Sequence, residues 1–250
     1  MSDRKGLAVV SKPRVGSGFV SFTSLLVAGF RALENERPDG ILNDPIARAL
    51  IGDSKKLQDA LAQAQEWILV QEEEEKAHIC NSTVMRAHYL DEQLVAALQR
   101  LAGTGPVQEG HSQAVHSQVV LLGAGLDTRP WRLPIPPWVS WFEVDKQDVL
   151  TMKQQRLQQA GVGFLAQPVI AEQAAYPLQA ASWQGVDADL ADAGWVSSLI
   201  KAGFEPSLPT VWIAEGLIYY LTPDVAIELH KAVRRVSAPG SLFMASNMDK

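Results

Sequence analysis

The stretch Gln118 to Leu133, QVVLLGAGLDTRPWRL, constrains this chain more than any other. An apolar run, Val119 to Leu122, passes directly into Gly123 and Gly125 and then into the polar group Asp127, Thr128 and Arg129. A buried strand that ends in a tight turn poor in side chains is the entry to a nucleotide pocket, because glycine tolerates positive φ and lets a ligand approach the backbone. A second apolar stretch, Trp138 to Val144, leads to Glu143-Val144-Asp145, which places an acid 20 positions past Gly125. An acid at that distance, at the tip of the neighbouring strand, sits where ribose hydroxyls need an acceptor. The glycine turn alone would fit any chain reversal; paired with Asp145 it predicts nucleotide or nucleoside binding.

The kind of nucleotide follows from what the turn lacks. A dinucleotide fingerprint requires a third glycine three positions after the second, where helix and strand pack closely, and Thr128 stands there. This disfavours NAD. Asp127 would repel a phosphate near a helix amino terminus, but it is compatible with a cofactor that carries no pyrophosphate. S-adenosylmethionine meets these requirements, with adenine, ribose, a sulfonium cation and an amino acid tail.

These residues also carry a resemblance. VVLLGAGLDTRPWRLP, then FEVD followed by Val149-Leu150-Thr151-Met152-Lys153, then PTVWIAEGLIYYL, resemble the leucine carboxyl methyltransferase superfamily, above all its large branch named for S-adenosylmethionine-dependent methyltransferases. The resemblance runs from about Phe22 to the last residue. It implies an α/β fold: a doubly wound, Rossmann-like methyltransferase sheet behind an N-terminal helical cap, lacking the last strands. Arg86 is then expected to reach the cofactor carboxylate, which a guanidinium can do through two parallel hydrogen bonds, and Arg31 to share that task. Asp189 and Leu190 are expected at the adenine, with Asp187 the competing candidate, and Glu215 beside the methionine moiety. With Gly123, Gly125 and Asp145 these are the candidate cofactor-binding residues.

Composition narrows the alternatives. With 250 residues, 47% hydrophobic and 20% charged, the chain can bury a full core. A formal net charge of -6 and no cluster of Lys and Arg argue against a nucleic-acid surface. The single cysteine, Cys80, excludes an internal disulfide, makes a Cys-rich metal site implausible and suits the cytoplasm. Lys5, Lys12 and Arg14 precede the apolar stretch Phe19 to Phe30 in the manner of a signal peptide. Phe19, Phe22, Leu26, Phe30 and Leu33 recur at spacings of three and four, however, and the face of an amphipathic helix accounts for them better. No run approaches the roughly 18 apolar residues needed to span a bilayer.

In chain order, residues 1–17 read as a mobile arm, 18–105 as the helical cap and 106–250 as the Rossmann-like domain. A helix is expected from Ser21 to Asn35, then a turn at Arg37 to Gly40. Asn43-Asp44-Pro45 reads as a helix start without chemistry. Leu57, Leu61, Ala64 and Ile68 continue at helical spacing, and Glu72 to Glu75 form a solvated run. Leu90, Leu94, Leu98 and Leu101 give a strong helix over Val84 to Leu101. Residues 102–116, with His111 and His116, form the linker. A helix over Asp148 to Ala160, an irregular connection from Gly161 to Ala180 and a third strand from Ser182 to Leu190 follow. A helix ends at Gly203, a fourth strand spans Thr210 to Ala214, a helix starts at Thr222-Pro223 and reaches Val236, and a fifth strand runs from Ser241 to Ser246. Family members add a further helix and an antiparallel strand pair, so either the chain is a truncated form or its fifth strand is an exposed edge.

The chemistry expected is methyl transfer from sulfonium to an oxygen acceptor, which the resemblance implies to be a carboxyl or hydroxyl group of a small metabolite. A carboxylate acceptor needs no general base, and no His-Asp pair is placed to serve a hydroxyl. Tyr219 and Tyr220 could orient the acceptor. No metal, nucleic-acid or membrane partner is expected. The alternatives are a non-catalytic cofactor-binding or partner-binding remnant and, further off, an NAD-dependent oxidoreductase. Replacing Asp145 by Ala is expected to abolish cofactor binding with the fold largely intact.

Overall fold

The computed structural model describes residues 17–52, 55, 58–59, 61–62, 74–102, 116–164 and 174–246. The arm through residue 16, the helical positions Leu57, Ala64 and Ile68, the acids Glu72 and Glu73, and most of the linker with His111 lie outside these residues.

Each strand expected from the apolar runs is present: β1 (Ser117–Leu122), β2 (Val139–Asp145), β3 (Ser182–Asp187), β4 (Thr210–Ala214) and β5 (Leu242–Ala245). They pair in parallel in the order β3-β2-β1-β4-β5, so the chain winds outward in one direction from β1 and returns to its other side for β4. That reversal makes the carboxyl ends of β1 and β4 a switch point, where connections leave in opposite directions and open a crevice.

Strand period two sorts the side chains onto two faces. Val119, Leu121, Trp141, Val211 and Ile213 face α1 (Ser17–Asn35), α2 (Ala47–Ile51), α3 (Glu74–Ala102) and α5 (Gln147–Gln159). Val120, Leu122, Phe142, Val144, Trp212 and Ala214 face α6 (Trp195–Lys201) and α7 (Pro223–Arg235). A four-residue helix, α4 (Arg129–Arg132), closes the turn after β1. The result is a three-layer α/β/α sandwich. β1 is buried at every position, its polar Ser117 and Gln118 included, because it is the central strand, whereas β3 alternates because it lies at the sheet edge.

Three boundaries differ from expectation by three residues or more, the largest being α3, expected from Val84, which begins at Glu74. β3 stops at Asp187 rather than Leu190, because the Asp189 carboxylate accepts the Ala191 N–H at 2.9 Å and bends the chain out of the ladder. Asp189 therefore lies two residues beyond the strand. α1 begins at Ser17, four residues earlier than expected. Asp44 does start the following turn, its Oδ1 accepting the Ala47 N–H at 3.1 Å, but its other oxygen accepts Thr128 Oγ1–H at 2.7 Å and thereby ties the segment before α2 to the turn after β1.

Candidate functional site

The turn after β1 is held open by its glycines. Gly123 and Gly125 have φ of 65° and 50°, and the Gly123 and Ala124 N–H groups both donate to the Val144 carbonyl, at 2.8 and 3.3 Å. A Cβ at Gly123 would come within 3.0 Å of Leu217 Cδ1, and one at Gly125 within 3.0 Å of Ser24 Oγ on α1. Only glycine satisfies both the dihedral and the close approach.

Asp145, the last residue of β2, stands beside this turn. Its Oδ2 accepts the Gly125 N–H and its Oδ1 the Lys146 N–H, each at 2.7 Å. Burial pushes the Asp145 carboxyl above the ordinary aspartate range, although those two N–H groups pull it back. The carboxylate thus pins the glycine turn and still presents lone pairs to the space in front of it.

That space is a cavity of about 340 Å³, and its lining contains Arg86, Gly123, Gly125, Asp145, Asp189, Leu190 and Glu215, together with Arg31. The tips of β1, β2 and β4 and the loop after β3 converge there from distant parts of the chain. Asp187, the competing candidate, is not in the lining. Asp189 is half exposed and forms an ion pair with Lys146 at 3.3 Å; its own turn and that lysine hold its carboxyl below the usual range.

At the other end of the cavity the charges are paired. Glu215 meets Arg86 through Oε1 at 3.0 Å and Arg129 through Oε2 at 2.7 Å. Burial alone would raise the Glu215 carboxyl, but the two guanidinium groups bring it below the ordinary glutamate range. Asp127, also in the lining, behaves likewise: burial raises it, while Arg129 and its neighbours lower it further. Arg31 lines the cavity but is engaged elsewhere, donating to the Leu126 carbonyl at 2.5 Å and facing Asp44 at 3.3 Å. It fastens α1 to the loop. Tyr219 and Tyr220 border the cavity with ring centroids 4.6 Å apart.

The sequence reading missed Thr23, Ser24 and Val27, by which α1 lines the cavity, and Lys146 at the nucleoside end. It also missed the buried ion pair beneath Asp145, where Lys153 Nζ lies 2.5 Å from Glu143 Oε2. A signal for that pair exists: Lys153 interrupts the buried row Val149, Lys153, Leu157 of α5, and Glu143 interrupts the buried run of β2. Opposite charges in two apolar stripes that pack together are expected to meet. Among the described residues no group of three or more His, Cys, Asp or Glu is placed to hold a metal ion, and no helix is long and apolar enough to cross a membrane.

A family profile described as leucine carboxyl methyltransferase matches residues 24–234. A protein of Parafrankia sp. (strain EAN1pec), provisionally named an S-adenosyl-L-methionine-dependent methyltransferase, is 36% identical over 230 residues, covering 90% of this chain and 62% of its own length. One of Mycobacteroides abscessus, named in the same way, is 35% identical over 232 residues, covering 91% of this chain and 66% of its own. The chain therefore spans a little under two thirds of the length of these relatives. The crystal structure of a DUF574 family protein from Streptomyces avermitilis MA-4680 aligns with 90% of this chain and 70% of its own at 16% identity and a TM-score of 0.46.

Proposed function

This chain belongs to the leucine carboxyl methyltransferase family, and from that premise we propose that it is an S-adenosyl-L-methionine-dependent O-methyltransferase acting on a carboxyl or hydroxyl group of a small metabolite. The observation that carries the reading is a single cavity with a carboxylate acceptor, Asp145, beside a glycine turn at one end and a paired guanidinium and carboxylate, Arg86 and Glu215, at the other. Residues 106–250 supply the sheet and most of this lining, with 18–105 as the cap that contributes Arg86 and α1.

The donor set fits the cofactor. Asp145 would accept from ribose hydroxyls, Gly123 and Gly125 would admit the sugar and sulfur close to the backbone, and Leu190 would cover the base with Asp189 at its edge. Arg86 matches an α-carboxylate, and Glu215 an α-ammonium. Bound S-adenosylmethionine would supply a methyl group already activated on sulfonium. The protein's contribution is then to align the acceptor oxygen behind that methyl and to exclude water. Tyr219 and Tyr220 border the cavity where an acceptor would enter.

The nicotinamide reading lacks support in the geometry. Where a dinucleotide fold begins a long helix that faces pyrophosphate, this chain has only the four residues Arg129–Arg132, and the Arg129 N–H is already taken by Asp127 Oδ1 at 2.8 Å. A cytoplasmic location is part of the proposal, on the strength of the single cysteine.

Calorimetry with S-adenosylhomocysteine against NAD tests the cofactor: heat with the former alone is expected, and its absence would end the reading. Transfer of labelled methyl from S-adenosylmethionine into a metabolite pool tests catalysis. Release of that label as methanol in mild alkali identifies a methyl ester and hence a carboxyl acceptor, whereas an alkali-stable label identifies a hydroxyl. No transfer from a protein that binds S-adenosylhomocysteine would favour a non-catalytic binding role.

A further inference from the structure

Beneath the cavity lies a guanidinium that does not line it but holds both of the acids that do at its charged end. Arg129 is 1% exposed. Its Nε donates to Asp91 Oδ1 at 2.6 Å, its Nη1 to Asp127 Oδ2, and its Nη2 to Glu215 Oε2 at 2.7 Å. Asp127 is gripped twice, since its other oxygen accepts the Arg129 backbone N–H. The three acids come from three elements: Asp91 from α3, Asp127 from the turn after β1, and Glu215 from the tip of β4. Asp91 is itself braced by Arg132, at 2.5 and 2.9 Å, and neither residue lines the cavity.

This arrangement has a physical consequence. Without Arg129, Asp127 and Glu215 would be two buried carboxylates facing one space with Arg86 bound to Glu215 alone, and their mutual repulsion would favour a proton on one of them. The planar fork of an arginine reaches three acids from three separate nitrogens in fixed directions, whereas a lysine ammonium offers its donors from one nitrogen on a shorter, freely rotating tip. Of the charged groups at this end, Arg31, Arg86, Asp127 and Glu215 line the cavity, two of each sign. A neutral zwitterion matches that lining better than an anion or a cation does.

Resting on the cofactor reading above, we propose that Arg129 is the positioning residue for the amino acid end of S-adenosylmethionine: it fixes the Asp127 and Glu215 carboxylates where an α-ammonium is received, beside Arg86. Arg129 touches neither cofactor nor acceptor in this scheme, and acts through the carboxylates it holds.

The test compares two ligands by calorimetry, S-adenosylhomocysteine and 5′-methylthioadenosine, which share the nucleoside thioether and differ in the amino acid. The wild-type protein is expected to prefer the former. Arg129→Lys is expected to reduce that preference by about tenfold or more, the worth of a charge-assisted hydrogen bond, while leaving methylthioadenosine affinity unchanged. Asp91→Asn, which weakens the anchor of Arg129 without altering any residue of the lining, is expected to reduce the preference in the same direction by less. Should Arg129→Lys fail to fold, Asp91→Asn decides the matter alone. A preference unchanged in Asp91→Asn, or equal loss of both ligands in a folded Arg129→Lys, would overturn the proposal. Wild-type protein that binds neither ligand would instead overturn the cofactor reading on which it rests, whereas equal wild-type affinity for the two would overturn this inference alone.

Discussion

At the scale of single residues, Asp145 does two things that the sequence presents as one. Its spacing from Gly125 marks it as a ribose acceptor, but both of its oxygens also accept backbone N–H groups. The expectation that Asp145→Ala spares the fold therefore needs revision, because the buried Gly125 N–H would lose its partner at a cost of about 1–3 kcal/mol. Asp145→Asn is the sharper variant. Its single carbonyl oxygen can keep only one of the two N–H bonds, and its amide cannot accept from a second hydroxyl. S-adenosylhomocysteine affinity is expected to fall by about tenfold or more, and stability by roughly 1–2 kcal/mol, measured by calorimetry and urea denaturation on the same preparation. Unchanged affinity with lowered stability would show Asp145 to be a turn clamp and nothing else. The glycine pair and Asp145 were legible in sequence because the separation between them is local to one β-turn-β unit. Arg129 was not, since its three acids are brought to it by elements far apart in the chain.

At the scale of elements, the turn after β1 is squeezed between β2 and α1. Gly125→Ala places a Cβ at φ 50° and 3.0 Å from Ser24 Oγ, and is expected to cost about 1–2 kcal/mol and to weaken nucleoside binding with it. Thermal denaturation and calorimetry together check this. β2 and α5 are joined more deeply by Glu143 and Lys153, both fully buried. Burial raises the Glu143 carboxyl, and Lys153 opposes that shift. Removing one partner strands the other: Lys153→Met alone is expected to destabilise by about 3–5 kcal/mol, while the double replacement Glu143→Leu with Lys153→Met recovers most of that loss. A double-mutant cycle by urea denaturation measures the difference. A near-zero coupling would mean the pair is not energetically joined. The helix and strand periods gave these elements from sequence, but the third strand's end escaped, because an aspartate turn at Asp189 stopped a ladder that hydropathy alone would continue.

At the scale of the whole molecule, charge pairing across layers sets how the fold responds to acid. Asp127 and Glu215 are held below their ordinary values of 3.8 and 4.5. In that range the unfolded chain binds protons first, so these groups stabilise the fold above their ordinary values, and the contribution is lost as pH falls through the folded-state values. Glu143 and Asp145 are raised and act in the opposite sense, favouring the protonated fold as pH falls toward their ordinary range. Glu215→Gln isolates one member of the first set: it is expected to be less stable than wild type at pH 7, with the gap narrowing below about pH 4.5 as the carboxylate protonates in the unfolded wild-type chain before it does so in the fold. Urea denaturation at pH 7 and pH 3.5 reads that gap. A gap that widens with acid would reverse the assignment.

The sequence by itself determined the strands, the order of helices between them, the glycine turn with its acid, and the family to which the chain belongs. Each depends on side chains a few positions apart, whose period of two or three to four residues is fixed by backbone geometry. Only the tertiary structure decided which charges meet. Arg86 with Glu215, Arg129 with Asp91, Asp127 and Glu215, and Lys153 with Glu143 are partners made by packing, and the parallel order β3-β2-β1-β4-β5 is what brings them together. An ion pair between distant segments leaves no periodic trace in a chain, because Coulomb attraction depends on distance in space and not on separation along the backbone.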